Sequence, residues 1–289
     1  LINKPAGATS FYIVRKVGRC LAEVPAWAGT KAGHSGTLDP FATGLLIILV
    51  GHATRLQDEL HLLSKTYEAE ITLGATSDTN DSTGVIRPEK PFEGLRRPEI
   101  LAALDNIKSQ TSQIPPSYAA IKINGKKMYE YARAGEHVEK KPRPITIHEI
   151  ILENYNYPTL NISVTCSTGT YIRSIARDIG ELLGTGAYCS HLVRTAIGQF
   201  ELKNAFLTED IPKVIHRSLI PMEQLVSHIP FIRCPDDIVA KYKQGKVGEC
   251  DENVPINTPI ALFDEHKKLF GIAIRETEEQ ILKPKKIFL

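Results

Sequence analysis

The chain has no long apolar run. Its longest, Leu45 to Val50, is far short of the roughly 20 residues a membrane-spanning helix needs. No charged stretch followed by an apolar one marks the start as a signal peptide. The chain opens on Leu1 rather than methionine, so a trimmed start is expected. Cysteine is sparse and unpatterned: Cys20, Cys166, Cys189, Cys234 and Cys250 include no C-x-x-C pair, and their number is odd. They read as reduced thiols of a cytoplasmic protein, which excludes a disulfide framework or a zinc site. Also missing are a G-x-x-x-x-G-K-[ST] phosphate loop, an H-E-x-x-H zinc helix and a G-x-S-x-G elbow. No repeat or low-complexity segment is present. Net charge is only +2, so a polyanionic partner has to be argued from clustering and not from the total.

What is present suits a globular fold. The 289 residues are 42% hydrophobic and 24% charged, enough for one large domain with a small one attached. Cations do cluster: Lys122, Lys126 and Lys127; Lys140, Lys141 and Arg143; Lys241, Lys243 and Lys246; Lys283, Lys285 and Lys286. Each cluster alone is ordinary solvated surface, and four together favour an anionic partner. A helix is predicted from Ser10, as cap, to about Ala22, with Ile13, Val14, Val17 and Leu21 on one face. Leu45 to Val50 reads as one buried strand. Thr66 to Leu73 alternates, with Tyr67, Ala69, Ile71 and Leu73 on one side, as a half-exposed strand does. Ala75 to Gly84 is a polar turn. Pro98 starts a helix with Ile100, Leu101, Leu104 and Ile107 on its face. Asn161 to Cys166 alternates again. Thr168 to Thr170 then leads into a helix ending at Gly184, with Arg173 and Arg177 on a different side from its apolar positions. Beyond Pro230 to Pro235 short alternating runs suggest a small β-rich domain.

Three places could carry chemistry. In His34-Ser-Gly-Thr-Leu-Asp-Pro40, Asp39 is either the cap of a helix begun by Pro40 or a carboxylate held on a rigid loop as a nucleophile. Arg173 is either a surface residue at a helix start or the planar partner of a buried carboxylate. Gln113 to Pro144 interleaves Tyr118, Tyr129 and Tyr131 with Lys122, Lys126, Lys127 and Arg133. That composition suits an RNA backbone with unstacked bases, or a surface excursion with a short helix ending at Gly135. Tyr67, Tyr171 and His34 are ordinary core or loop residues on local pattern alone. Asp78 and Asp81 have too few oxygens near them in sequence to make a cation site.

Several segments in order resemble the TruB family of tRNA pseudouridine synthases. Leu1-Ile-Asn-Lys-Pro-Ala-Gly-Ala-Thr-Ser10 is similar to that family's opening motif. Ala32-Gly-His-Ser-Gly-Thr-Leu-Asp-Pro-Phe-Ala-Thr-Gly44, continuing to Gly51-His-Ala-Thr-Arg55, resembles its catalytic motif. Ser64-Lys-Thr-Tyr-Glu68 resembles the segment carrying its active-site tyrosine, and Ser167-Thr-Gly-Thr-Tyr-Ile-Arg-Ser174 the segment carrying its arginine. Gln113 to Pro144 resembles the thumb insertion that clamps the T stem-loop.

The resemblance implies an α+β pseudouridine synthase fold with a central, mostly antiparallel sheet. It implies a catalytic domain over 1–229 and a PUA-like RNA-binding domain over 230–289. It makes Asp39 the catalytic aspartate, Arg173 its partner, and Tyr67 the tyrosine against the target uracil. Tyr171 becomes a second pocket tyrosine, Leu192 the apolar residue beneath the base, and His34 the residue that enters the RNA loop. Lys4 supports the catalytic loop. Lys4, Lys126, Lys127, Arg143 and Arg194 join the substrate-binding set. The departure His191-Leu-Val-Arg194 bears on Leu192 and Arg194. The implied reaction converts uridine 55 of the tRNA T loop to pseudouridine. It involves no net oxidation, transfer or hydrolysis, so neither cofactor nor metal is expected. A stand-alone monomer is expected, without membrane or obligate protein partner. The alternative is a non-catalytic tRNA-binding or tRNA-folding protein on the same scaffold; Asp39 separates the two, since a degenerate member could lose it.

Overall fold

The computed structural model describes residues 1–89, 94–119, 121–123, 125–136, 138–249 and 253–288. The fold is mixed α and β around an eight-stranded sheet. Its strands are β1 (Ile2–Lys4), β2 (Thr43–Leu46), β3 (Lys65–Leu73), β4 (Ile147–Asn156), β5 (Thr159–Cys166), β6 (Ala187–Ile197), β7 (Phe200–Glu201) and β8 (Phe206–Leu207). The spatial order is β4-β5-β3-β6-β2-β1-β8, with β7 on β6. Pairings are antiparallel except β6 with β2 and β1 with β8. The sheet is therefore mostly antiparallel, as expected.

Period-two patterning builds its centre. Ala69, Ile71 and Leu73 of β3 are buried, as are Leu160, Ile162, Val164 and Cys166 of β5. The inward face is covered by α2 (Arg97–Ser109) and α3 (Ile172–Leu183). Ile100, Leu104 and Ile107 point inward from α2, whereas Leu101, expected on the same face, is exposed. From α3 come Ile172, Ile175, Ala176 and Ile179, and Gly184 ends it in the left-handed conformation at φ 69°, where a side chain is disfavoured.

Two local expectations are corrected. Leu45 to Val50 is two strands, because the chain breaks at Ile47 between β2 and Ile48–Val50. The cap of α1 (Ser10–Ala22) is Thr9, whose Oγ1 accepts from Tyr12 N at 3.0 Å; Ser10 lies inside the helix, with its hydroxyl used elsewhere. Gly44 allows β2 to approach β6: its φ is +109°, and a Cβ there would sit 2.4 Å from the Arg194 carbonyl oxygen.

Residues cluster into two compact units: 1–16, 36–48 and 62–211 in the first, 17–35, 49–61 and 212–289 in the second. The second therefore holds more than the C-terminal tail. It contains a five-stranded sheet from Phe231–Arg233, Gly248–Glu249, Pro259–Phe263, Leu269–Ile274 and Ile281–Ile287. Its core includes Val239, Tyr242, Ile260, Leu262, Phe270 and Leu282. Lys286 is tied to Glu59 at 2.9 Å, and Arg55 donates to the Ile287 carbonyl at 2.6 Å. Among the described residues no helix is long and apolar enough to cross a membrane.

Candidate active site

Asp39 does not cap a helix. The chain turns, with Ala42 N donating to the Asp39 carbonyl at 3.2 Å, and enters β2. The loop's shape is imposed from outside its own sequence. Lys4, with no exposed surface, directs Nζ at the carbonyls of Pro5 and Ala8 at 2.9 Å, Pro40 at 3.3 Å and Ala42 at 2.5 Å. Ser10 Oγ donates to Leu38 O at 3.1 Å and accepts from Leu38 N at 2.9 Å. Gly7 N donates to Pro40 O at 2.7 Å. From the other side Arg194, 1% exposed, donates to Leu45 O at 2.8 Å and to Thr37 O and Gly36 O at 3.3 Å.

These contacts bear on two site assignments. Lys4 and Arg194 are both buried and donate to carbonyls of the loop, which supports a positioning role toward Asp39 for each. Arg194→Met should therefore leave three carbonyls short of a donor. On the order of 3 kcal/mol of stability should be lost, measured by urea unfolding. A substrate-contact role would instead weaken RNA binding and leave the unfolding midpoint unmoved.

The Asp39 side chain is 30% exposed and reaches inward to Arg173, which is 4% exposed, with Arg173 Nε 2.9 Å from Asp39 Oδ2. This is a close ion pair whose N–H is not aligned as a hydrogen bond. The planar fork does not grip Asp39 with two bonds, as a simple pair would. Its Nη1 donates to Asp81 Oδ2 and to Thr79 O, each at 3.2 Å, and its Nη2 to Tyr118 O at 3.2 Å. One cation thus joins two carboxylates and two backbone segments. Arg173 is buried, so of its two readings the partner of a carboxylate fits and the surface residue does not.

Sequence reasoning missed Asp81. It is 4% exposed and accepts from Thr79 Oγ1 at 2.7 Å, Thr83 N at 2.9 Å and Thr83 Oγ1 at 2.5 Å. The T-x-D-x-T spacing was the available signal: it surrounds an acid with hydroxyls two residues either side. Also missed was Gln113, 4% exposed. Its amide clamps the backbone of Tyr171, accepting from the N–H at 2.8 Å and donating to the carbonyl at 3.2 Å.

Burial pushes the Asp39 carboxyl above its ordinary value, and the Asp81 charge adds to the rise; Arg173 and Lys4 oppose it. Tyr67, on β3, packs half-buried against the main core. Its cross-strand partner is Arg194. Burial raises the Tyr67 phenol and the Arg194 charge partly offsets this. Tyr171 precedes α3; burial raises its phenol, as does Asp39, while Arg173 and Arg143 lower it. Both phenols therefore stay neutral near pH 7 and can give or hold a proton beside Asp39. Leu192 is buried in the core, opposite Ala69.

The remaining residues are placed as follows. Arg143 is exposed on the strand Arg143–Pro144, paired with Gln113. Lys126 contacts Glu136 Oε1 at 3.2 Å and lies 4.4 Å over the Tyr131 ring, so its charge already has a partner. The side chain of Lys127 lies outside the described residues. His34 is half-buried on the strand Ala32–His34, in the second unit.

A family model described as TruB family pseudouridylate synthase (N terminal domain) matches residues 26–172, and one described as tRNA pseudouridylate synthase B C-terminal domain matches 173–227. The tRNA pseudouridine synthase B of Bacillus velezensis is 38% identical over 304 residues, spanning 100% of this chain and 96% of that protein. The protein of the same name from Geobacillus kaustophilus is 42% identical over 257 residues, 85% of this chain and 88% of its own. Among solved structures, a chain of a Cbf5-Nop10-Gar1 complex superposes with a TM-score of 0.75 at 22% identity, over 100% of this chain and 84% of its own; this likeness concerns the fold alone. With two family models and full-length relatives in agreement, the chain belongs to the TruB family of pseudouridylate synthases.

Proposed function

We propose that this protein isomerises uridine 55 in the T loop of tRNA to pseudouridine, with Asp39 as the catalytic carboxylate acting on a flipped-out base. The observation that carries this is the partly exposed Asp39 carboxyl against the buried Arg173, with two neutral phenols, Tyr67 and Tyr171, that feel its charge. The relatives' shared name supplies the substrate class.

The reaction breaks the bond from ribose C1′ to uracil N1 and forms one from C1′ to C5. The C5 proton goes to solvent and N1 gains one. Attack of the carboxylate on C1′, loss of the base through a glycal-like species and attack on uracil C6 all require Asp39 ionised. Extruding the base costs a few kcal/mol. Packing on Tyr67, with Tyr171 and Leu192 around the ring, offsets it, and His34 fills the space left in the RNA loop. Arg143, Lys126 and Lys127 in the 113–144 thumb contact the T stem, and residues 230–289 act as a PUA-like RNA-binding domain. The enzyme works as a cytoplasmic monomer without cofactor.

An unmodified tRNA transcript carrying tritium at uracil C5, incubated with the protein and EDTA, tests this. Tritium release with pseudouridine mapped to position 55 is expected. Binding without release would favour the RNA-binding alternative, and release from another uridine would overturn the site assignment.

A further inference from the structure

The first 22 residues contain no acid; the first carboxylate in the chain is Glu23. Within them α1 buries Ile13, Val14, Val17 and Leu21 and leaves Phe11 62% and Tyr12 47% exposed. Two large rings on the solvent side of an otherwise well-patterned helix are more than a single stray apolar residue. Each stands one turn before a cation: Phe11 before Arg15, Tyr12 before Lys16. Arg15 is exposed, Lys16 half-buried, and the Arg15 guanidinium lies 5.4 Å over the Phe11 ring. Among the described residues no carboxylate pairs with Arg15 or Lys16. Several other cations are neutralised internally: Arg177 by Asp178, Lys283 by Glu276, Lys286 by Glu59.

The same helix is fixed to the catalytic loop. Ser10, next to Phe11, exchanges two hydrogen bonds with Leu38, next to Asp39, and Gly7 binds Pro40. Whatever rests on this face is held at a set distance from the reacting carboxylate.

We infer that the face of α1 formed by Phe11, Tyr12, Arg15 and Lys16 is an RNA contact surface, holding substrate phosphates through its two cations and a ribose or base against its two rings. Unpaired cations call for a polyanion, and exposed rings beside them suit a partner whose units carry both a phosphate and a stackable face. A purely apolar partner would bury two cations without compensation. The inference rests on tRNA being the substrate.

Its test is binding of a fluorescein-labelled tRNA transcript followed by anisotropy over a series of salt concentrations. The double variant Arg15→Glu/Lys16→Glu should raise Kd at least tenfold. Its plot of log affinity against log salt should be shallower by about one to two units, one for each phosphate that is no longer neutralised. Phe11→Ala should weaken binding a few-fold at any one salt. Lys108→Glu, an exposed charge reversal on α2, should match the wild type. Phe11, Arg15 and Lys108 are exposed and Lys16 is half-buried, so melting curves should coincide; if the double glutamate variant melts early, Arg15→Gln/Lys16→Gln replaces it. A Kd within twofold of wild type with an unchanged slope overturns the inference. So does an equal loss from Lys108→Glu, which would make the effect one of total charge. If the wild type itself bound no tRNA, the substrate reading would fall with it. If the wild type bound and reacted and the α1 variants did the same, this inference alone would fall.

Discussion

Asp39→Asn is expected to abolish turnover and leave the fold intact. The loss should be on the order of 10⁴-fold or more, as for removal of a reacting group, read as tritium release under single turnover. Arg173 keeps Asp81, Thr79 and Tyr118 as partners, so the variant has no reason to unfold. Stability should even favour it. The folded-state pKa of Asp39 is raised, so the native state holds that proton more tightly than the unfolded chain. The resulting stabilisation is present at low pH and lost as pH rises through the folded value, above which the ionised carboxylate is a penalty on folding. Asparagine carries no such charge. The variant's melting temperature at pH 7 should therefore equal or exceed that of the wild type, a direct exchange of stability for activity. The same shift puts the acid limb of the wild-type rate profile above the ordinary value of 3.8. A variant that melts several degrees early, or a limb below 3.8, would contradict this account.

Arg173 gives the second large effect. Arg173→Lys retains the charge but places three donors at one point. An ammonium near Asp39 cannot also span Asp81, Thr79 and Tyr118, so turnover should fall on the order of hundredfold as Asp39 loses its placement. The acid limb should move further up, because an ammonium on a shorter reach lies farther from Asp39 and opposes burial less. Arg173→Met leaves Asp81, 5% exposed in its side chain, without its cation. That change should cost about 3–5 kcal/mol in urea unfolding. Turnover near wild type in the lysine variant would show that the bridged geometry does not matter.

Legibility in the sequence tracks how local each cause is. β3, β5, α1 and α2 are readable because one face of each is buried and the periodicity survives. β4 is not, because register shifts at Ile147/Glu149 and Leu152/Asn154 break the alternation that identifies a strand. The Asp39–Pro40 pair is ambiguous locally: the same two residues start helices elsewhere. What decides against a helix here is Lys4 and Arg194, whose carbonyl partners lie up to 38 and 158 positions away. Neither can be told from a substrate contact in the sequence, since burial of a cation by distant carbonyls leaves no local pattern. Asp81 is hidden for the same reason, being 92 positions from Arg173. The family motif points to Asp39 and Arg173, but not to a second carboxylate sharing the arginine.

The bond from Arg173 to the Tyr118 carbonyl ties the start of the 113–144 segment, proposed above as a thumb, to the proton affinity of Asp39. Two equilibria that meet at one guanidinium obey reciprocity: whatever RNA held by the thumb does to Asp39's hold on its proton, that proton does equally to the hold on RNA. Affinity for tRNA should thus change with pH across the very range in which Asp39 titrates, and by the same factor. An affinity flat through that range would mean that the thumb root and the catalytic carboxylate are thermodynamically independent despite sharing a cation.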